Sequence, residues 1–356
     1  MKSNLFIAIL TLIFYINLPT HAIHINKPTE ELDKLVLQEA IANGFIAEKN
    51  KKIVIKSIYP ILRLANREDI LKCLFKLGLD INLTFYYMDS KWETLLMIAS
   101  GRGDAPLVAF LLSQGASMEI KDFWKETALM HAVYRGYNDV IGLLVQKGAT
   151  FDQIVQDKIG YGNMPLYYCL LNDNVEAMKI FIEKGLSEKS KIWSLVFAIF
   201  KKNKAIVELL IKDGVNLDTL EFDTAVDVMG TILARESEKL KLCARIRETV
   251  FGVLEYDLPY ILLIAMFNDK AIAKLLLDSG ANPNVTVDND KKLSILTAFV
   301  KQNDIEAATL LLSYGANVNA KDLFGRSSMD FAISQSNNEM INLLLKYGAE
   351  SYYPKS

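Results

Sequence analysis

The sequence predicts an all-α fold: a solenoid of about nine helix-turn-helix repeats, preceded by a signal peptide. Three features lead to this prediction. An apolar triplet followed by glycine recurs along most of the 356 residues. Hydrophobic residues make up 51% of the chain against only 18 glycines and 8 prolines, which is too little turn material for an all-β fold. The first residues form a basic, then apolar, segment typical of exported proteins.

Residues 1–22 are predicted to be the signal peptide. A basic start at Lys2 precedes an apolar run from Leu5 to Ile16, and Thr20-His21-Ala22 provides a small-residue cleavage site. The run is about 12 residues long, short of the roughly 20 that span a bilayer. We therefore expect a periplasmic or secreted protein with no stable membrane span after cleavage. An uncleaved membrane anchor is the alternative.

Residues 23–53 lack the recurring triplet and are predicted to form an N-terminal helical cap. Thr29-Glu30-Glu31 is a typical helix start, and Leu32, Leu35 and Val36 give the helix an apolar face. The repeat array is then predicted to occupy residues 54–356.

The array is defined by an apolar triplet, two variable residues and a glycine. The eight glycines are Gly78, Gly115, Gly148, Gly185, Gly214, Gly280, Gly315 and Gly348. They are 29 to 37 residues apart, except for one interval of 66 that equals twice 33. That interval predicts a degenerate repeat at 219–257, with Thr224–Met229 as its first helix.

Each unit has a physical logic. The triplet ends an amphipathic second helix, and the glycine closes it in a left-handed conformation. Sixteen residues earlier lies a small residue that lets the first helix pack closely. These small residues are Ala99, Ala132, Cys169, Ala198 and Ala332. One helix pair cannot bury its own apolar face, so stacking supplies the core.

The loops and first helices resemble those of the ankyrin family, whose unit is about 33 residues with a T-P-L-H-x-A helix and a G-A-(D/N)-x-(D/N) loop. The loop motif is carried by Gly280–Asn284 and Gly315–Asp322, and the helix motif by Thr94–Ala99 and Thr127–Ala132. His131 stands one place after the family's histidine. The resemblance covers roughly residues 54–352. It implies a concave surface of loop tips and first-helix faces that binds a partner protein.

Other classes of function are poorly supported. The net charge of −2 argues against nucleic-acid binding. No phosphate-binding loop or nucleophile elbow is present, so we expect no enzyme and no cofactor. His21, His24 and His131 are the only histidines, which leaves little for a metal site, and none is predicted. Cys73, Cys169 and Cys243 are interpreted as small buried residues.

Unusually aromatic loop tips are the candidate protein-binding residues. They are Tyr86, Tyr87, Trp92, Phe123, Trp124 and Tyr161. Tyrosine and tryptophan are enriched in interface hot spots because they bury much area at low entropic cost. The alternative is that several of these rings pack on neighbouring loops or helix ends.

Two functions remain open. The first is an exported interaction module that acts as a host-directed effector. In this interpretation the protein resembles the secreted ankyrin proteins of bacteria that live with eukaryotic hosts. The second is a periplasmic structural protein or an inhibitor of an envelope enzyme. The identity of the partner does not follow from the sequence.

Overall fold

The computed structural model describes residues 46–49, 52–55, 62, 67–76, 79–87, 91–152, 165–217, 261–288 and 292–350. The chain divides into two compact units, Met1–Thr150 and Phe151–Ser356. The predicted signal peptide, the helix expected to start at Thr29 and the segment 219–257 lie outside the described residues.

The first unit contains two hairpins and five helices in its described part. In chain order these are β1 Ile46–Lys49, β2 Lys52–Ile55, α1 Arg67–Lys76, β3 Thr84–Tyr87, β4 Lys91–Thr94, α2 Leu95–Ser100, α3 Ala105–Ser113, α4 Ala128–Arg135 and α5 Asn138–Gln146. The helix pair α2/α3 stacks on the pair α4/α5, first helix against first helix and second against second.

The second unit continues the same pattern. Its described elements are α6 Pro165–Leu171, α7 Val175–Lys184, α8 Glu188–Lys201, α9 Lys204–Lys212, α10 Ile261–Asn268, α11 Lys270–Asp278, β5 Thr286–Asp288, β6 Leu293–Ser294, α12 Ile295–Lys301, α13 Ile305–Ser313, α14 Ser328–Ser334 and α15 Asn338–Lys346. Within the described residues the two units hold seven complete helix pairs and α1.

The first helices form the centre of the stack. All six residues of α2 are buried, as are the first six of α10. The small residues predicted at the close approach, including Ala99, Ala132 and Ala198, have no exposed surface. Second helices bury only one face, for example Leu107, Val108 and Leu111 of α3. Within each unit, stacked helix pairs therefore share an apolar core.

Glycine ends the second helices as predicted. Gly115 has a φ of 90° and Gly280 a φ of 94°, in the left-handed region that disfavours a Cβ. Two residues after the glycine, the backbone N–H donates to a side chain of the preceding repeat. Ser117 N donates to Asn82 at 2.8 Å, and Asn317 N donates to Asn284 at 2.7 Å. These bonds connect successive loops.

The loop tips differ from the polar loops that the sequence predicted. β3 pairs with β4 and β5 with β6 as short antiparallel hairpins, and Lys321 forms an isolated bridge with Ser327. β1 and β2 form a further hairpin at the boundary placed at residue 53, so the described end of the predicted helical cap is a strand. Self-pairing satisfies backbone groups that a loop leaves unpaired. The fold is therefore mostly helical rather than strictly all-α.

The described helices on either side of the 66-residue interval between Gly214 and Gly280 pack against each other. α10 packs directly against α8, and α11 directly against α9. The side-chain amide of Asn268 in α10 donates to the backbone oxygen of Ile199 in α8. These described helix pairs are therefore direct neighbours. The degenerate repeat predicted at 219–257 lies outside the described residues and stays a prediction.

Cys169 is buried in α6 with a reduced thiol, as the sequence predicted. Its Sγ donates to the backbone oxygen of Asn174 at 3.2 Å. Burial, with the nearby charge of Asp173, raises the pKa of the Cys169 thiol well above its ordinary value. The thiol therefore stays protonated and behaves as a packing residue.

Candidate protein-binding site

The β3–β4 hairpin presents the first group of predicted aromatic residues. Its register pairs Phe85 with Glu93 and Tyr86 with Trp92 across the ladder, and Tyr87 with Lys91. Phe85 and Glu93 are both buried, whereas 43% of Trp92 is exposed. The hairpin therefore buries one pair and leaves Trp92 accessible, which agrees with its prediction as a surface residue.

The second group lies on a tight turn that we call the 122 tip, residues Asp122–Thr127. The N–H of Lys125 donates to the carbonyl of Asp122 at 3.0 Å, and Lys125 has a positive φ of 65°. Phe123 and Trp124 occupy the two central positions of this turn. They are 59% and 57% exposed and contact each other edge to face, with ring centroids 5.3 Å apart.

Asp122 holds the turn from beneath. Its Oδ1 accepts hydrogen bonds from the N–H of Trp124 at 2.8 Å and the N–H of Glu126 at 2.9 Å. Its Oδ2 lies 3.1 Å from Nε2 of His131 in α4. The turn therefore has a fixed backbone, so the two rings are presented with little loss of chain entropy on binding.

These contacts also set the acidity of Asp122. Burial by itself raises the pKa of the carboxyl group. The hydrogen bond and charge of His131, with the amides of Glu126 and Trp124, outweigh burial and hold the pKa of Asp122 below its ordinary value. Asp122 is therefore ionised at neutral pH.

Two further exposed rings stand near the end of α4, and the sequence analysis missed them. Tyr134 is exposed, with the guanidinium of Arg135 5.9 Å from its ring centroid. Tyr137 is also exposed and covers Gly103, where a Cβ would lie only 2.6 Å from its Cδ1. Both residues follow the buried residues of α4 in the sequence, and this position could have identified them.

The charged groups of the 122 tip differ in exposure. Lys121 and Lys125, beside the rings in the chain, are exposed, whereas Asp122 is buried and Glu126 is partly buried. Glu119, two residues before Lys121, is an exposed acidic residue. The tip therefore presents aromatic rings with two cations next to them in sequence.

The other predicted residues have mixed outcomes. Tyr86 and Tyr87 lie on β3 within the hairpin, and the structure describes their backbone only. Tyr161 lies outside the described residues. Trp92, Phe123 and Trp124 are exposed, and their role in binding stays a prediction.

The second unit carries an equivalent turn, the 322 tip, residues Asp322–Ser327, which the sequence analysis also missed. Oδ1 of Asp322 accepts from the N–H of Phe324 at 2.9 Å and of Arg326 at 2.8 Å. Its Oδ2 forms an ion pair with the guanidinium of Arg326 at 2.8 Å. Leu323 and Phe324 are exposed at the centre of the turn.

Arg326 also stacks on two rings, with its guanidinium carbon 5.0 Å from the ring centroid of Phe324 and 4.7 Å from that of Phe331. Burial raises the pKa of the Asp322 carboxyl, but the amide and guanidinium of Arg326, with the amide of Phe324, lower it more. The net pKa of Asp322 is therefore below its ordinary value.

Stacked helix pairs with structured tips between them define a helical-repeat binding scaffold. The particular family is equally clear: a family model described as ankyrin repeats, three copies, matches residues 61–157 and 261–353, together more than half of the chain. The chain belongs to the ankyrin-repeat family. Ankyrin repeats are in general protein–protein interaction modules, typically without catalytic activity.

Relatives of this chain come from distant organisms. An ankyrin repeat protein of Acanthamoeba polyphaga mimivirus is 23% identical over 75% of this chain and 31% of its own length. Transient receptor potential cation channel subfamily A member 1 of Homo sapiens is 24% identical over 81% of this chain and 27% of its own length. An ankyrin repeat protein of Rickettsia bellii is 37% identical over 23% of this chain and 11% of its own length. The chain thus spans about a third or less of these relatives.

A solved structure supports the fold. The ankyrin repeat domain of Bcl-3 aligns with 71% of this chain and 98% of its own chain, with a TM-score of 0.51 and 18% identity. At that identity the likeness concerns the fold alone. Across the residues that the structure describes, every helix is too short or too polar to cross a bilayer.

Proposed function

We propose that this protein is an exported protein-binding module and that the 122 tip, with Trp92 and the exposed end of α4, is its main contact surface. The observation that carries the proposal is the exposed Phe123–Trp124 pair held on a turn by a buried aspartate. Exposed aromatic pairs on a rigid frame are typical of interface hot spots.

The charges favour one class of partner. Lys121 and Lys125 lie beside the rings in the chain and are exposed, whereas the acidic groups of the same tip, Asp122 and Glu126, are buried or partly buried. Charge complementarity across an interface speeds association and excludes like-charged partners. We therefore propose a partner protein that presents an acidic segment interspersed with apolar side chains.

The test compares two tips of the same chain. The full chain, the double variant Phe123→Ala/Trp124→Ala and the control double variant Leu323→Ala/Phe324→Ala serve as baits for envelope and host-cell proteins. We expect the first double variant to lose partners that wild type and control retain. Captured partners should dissociate as salt is raised, because the contact includes exposed charges. If the first double variant, folded by circular dichroism, retains every partner of the wild type, the 122 tip is not the binding surface.

Export is a separate part of the proposal. The basic start and short apolar run of residues 1–22 support a cleaved signal peptide. Mass spectrometry of the mature N-terminus in culture medium, periplasm and cell pellet tests it. A chain beginning at Ile23 in the medium supports a secreted, host-directed effector, and retention in the periplasm supports an envelope role. An uncleaved chain confined to the cell pellet would contradict export.

A further inference from the structure

A cluster of three potential metal ligands lies beneath the 122 tip, and neither the fold nor the proposed function accounts for it. Glu93 comes from β4, Asp122 from the tip and His131 from α4. One donor atom from each lies within 4.8 Å of the other two. The three side chains therefore converge from different elements of the first unit on one point.

The cluster is shielded from solvent. Glu93 and Asp122 are buried, and the side chain of Asp122 has no exposed surface. The side chain of His131 is 11% exposed. Oε2 of a fourth residue, Glu126, lies 3.9 Å from Nε2 of His131. Three carboxyl groups and one imidazole thus lie close together, and Glu126 is the most exposed of the four, with 22% of its side chain accessible.

A buried carboxylate is stabilised by positive charge beside it. The 322 tip shows how the same turn is neutralised elsewhere in the chain. There, Arg326 occupies the position that corresponds to Glu126 and pairs with Asp322 at 2.8 Å. The position of His131 corresponds to Phe331, and that of Glu93 to Leu293.

At these three positions the 122 tip therefore has two carboxylates and an imidazole, where the 322 tip has a fixed cation and two apolar residues. In this chain the difference places three metal-binding side chains where the other tip has none. If these positions served only to stabilise the turn, an arginine such as Arg326 in the 322 tip would be sufficient.

We propose that Glu93, Asp122 and His131 bind a divalent transition-metal ion, Zn²⁺ above all, with Glu126 available as a fourth ligand. Zinc binds imidazole nitrogen and carboxylate oxygen at about 2.0–2.2 Å, so tetrahedral donors lie roughly 3.4 Å apart. Nε2 of His131 and Oδ2 of Asp122, 3.1 Å apart, are close to that spacing. An imidazole ligand favours zinc over calcium or magnesium, which prefer oxygen donors.

The surroundings also suit a metal ligand. Oδ1 of Asp122 is held by the amides of Trp124 and Glu126, which orients Oδ2 toward His131. Such outer hydrogen bonds fix ligand geometry in metal sites. The ion would lie between Nε2 of His131 and Oδ2 of Asp122, in place of their hydrogen bond. Binding would tie β4, the tip and α4 together beneath Phe123 and Trp124.

Calorimetric titration of the full, untagged chain with zinc chloride after chelator treatment tests the proposal. We expect one zinc ion per chain with micromolar or tighter affinity. Glu93→Gln and His131→Gln should each weaken it at least about tenfold. Asp322→Asn, in the other tip, and the double variant His21→Asn/His24→Asn should keep the wild-type affinity. Wild-type affinity in both ligand variants, or loss of binding in the histidine double variant, would overturn the assignment.

A second measurement guards against variants that fail to fold. Titration of the wild-type chain with cobalt(II) should give visible absorption bands of a four- or five-coordinate ion, and added zinc should abolish them. If the wild-type chain shows neither cobalt bands nor stoichiometric zinc binding, the cluster is not a metal site.

Discussion

The 122 tip and the 322 tip share one backbone design and differ in charge. In each, an aspartate Oδ1 accepts two backbone N–H bonds, and the residue three places on donates to its carbonyl at 3.0 Å. Each turn exposes two large apolar residues at its centre. The second aspartate oxygen faces His131 in one tip and Arg326 in the other.

The comparison shows that the frame of a tip and its chemistry are separable. Oδ1 and the backbone fix the turn, so the residues around Oδ2 can change without changing which residues are exposed. In the 322 tip a permanent cation closes the site and stacks on two rings. In the 122 tip the same place holds groups that bind protons or metal ions.

The largest effect is expected from removing the aspartate that holds the 122 tip. Asp122→Ala leaves the N–H groups of Trp124 and Glu126 without their acceptor and removes the partner of His131, at a cost of about 2–4 kcal/mol in the free energy of unfolding. Asp322→Ala should cost about 1–2 kcal/mol, because half of the Arg326 side chain is exposed and can be hydrated. Urea unfolding followed by circular dichroism, in chelator, measures both. Equal losses would show that the partner of the second carboxylate oxygen, His131 or Arg326, does not set the cost.

A charge exchange at one position is expected to convert the first tip into the second. Glu126→Arg places a guanidinium beside Asp122, where Arg326 stands beside Asp322. We expect zinc binding to be abolished while stability changes by no more than about 1 kcal/mol. The reverse change, Arg326→Glu, should cost about 1–2 kcal/mol because Asp322 would then face a like charge. Zinc affinity that survives Glu126→Arg would place the ion elsewhere.

The 322 tip should respond to acid in a defined direction. The pKa of Asp322 is lowered in the folded protein, so its contacts stabilise the fold above the unfolded-state pKa, about 3.9. That contribution is lost as the pH falls through the folded-state pKa. We therefore expect Asp322→Asn to lower the thermal midpoint at pH 7 by a few degrees, and the difference from wild type to shrink below about pH 4. A difference that stays constant from pH 7 to pH 3 would rule out the charged contact with Arg326.

The repeat frame was largely predictable because it rests on local patterns. These patterns recur in register, and each has one structural use. They are the apolar triplets, a closing glycine such as Gly280 and small residues such as Ala99. The aromatic residues of the 122 tip were also predictable, since Phe123 and Trp124 have no place in a buried stripe. Equivalent reasoning could have found Leu323 and Phe324, which the family's loop motif obscured.

Other features depend on contacts that sequence spacing does not encode. The direct packing of α10 on α8 is one such feature, because the spacing of glycines does not show which helix pairs are neighbours. Likewise, Glu93 belongs to one repeat and His131 to the next, 38 positions later in the chain. Their approach exists only after the hairpin and the tip have stacked, so counting histidines could not reveal it.

The smallest effect on stability, and the sharpest test of recognition, is expected from exchanging the exposed residues between tips. Phe123→Leu/Trp124→Phe gives the 122 tip the side chains of the 322 tip on an unchanged frame. Because these side chains are more than half exposed, the free energy of unfolding should change by less than about 0.5 kcal/mol. Partner affinity should fall roughly fivefold to thirtyfold, the loss typical of a trimmed aromatic hot spot. If affinity is unchanged while Glu126→Arg reduces it, the frame and its charge, rather than the rings, carry recognition.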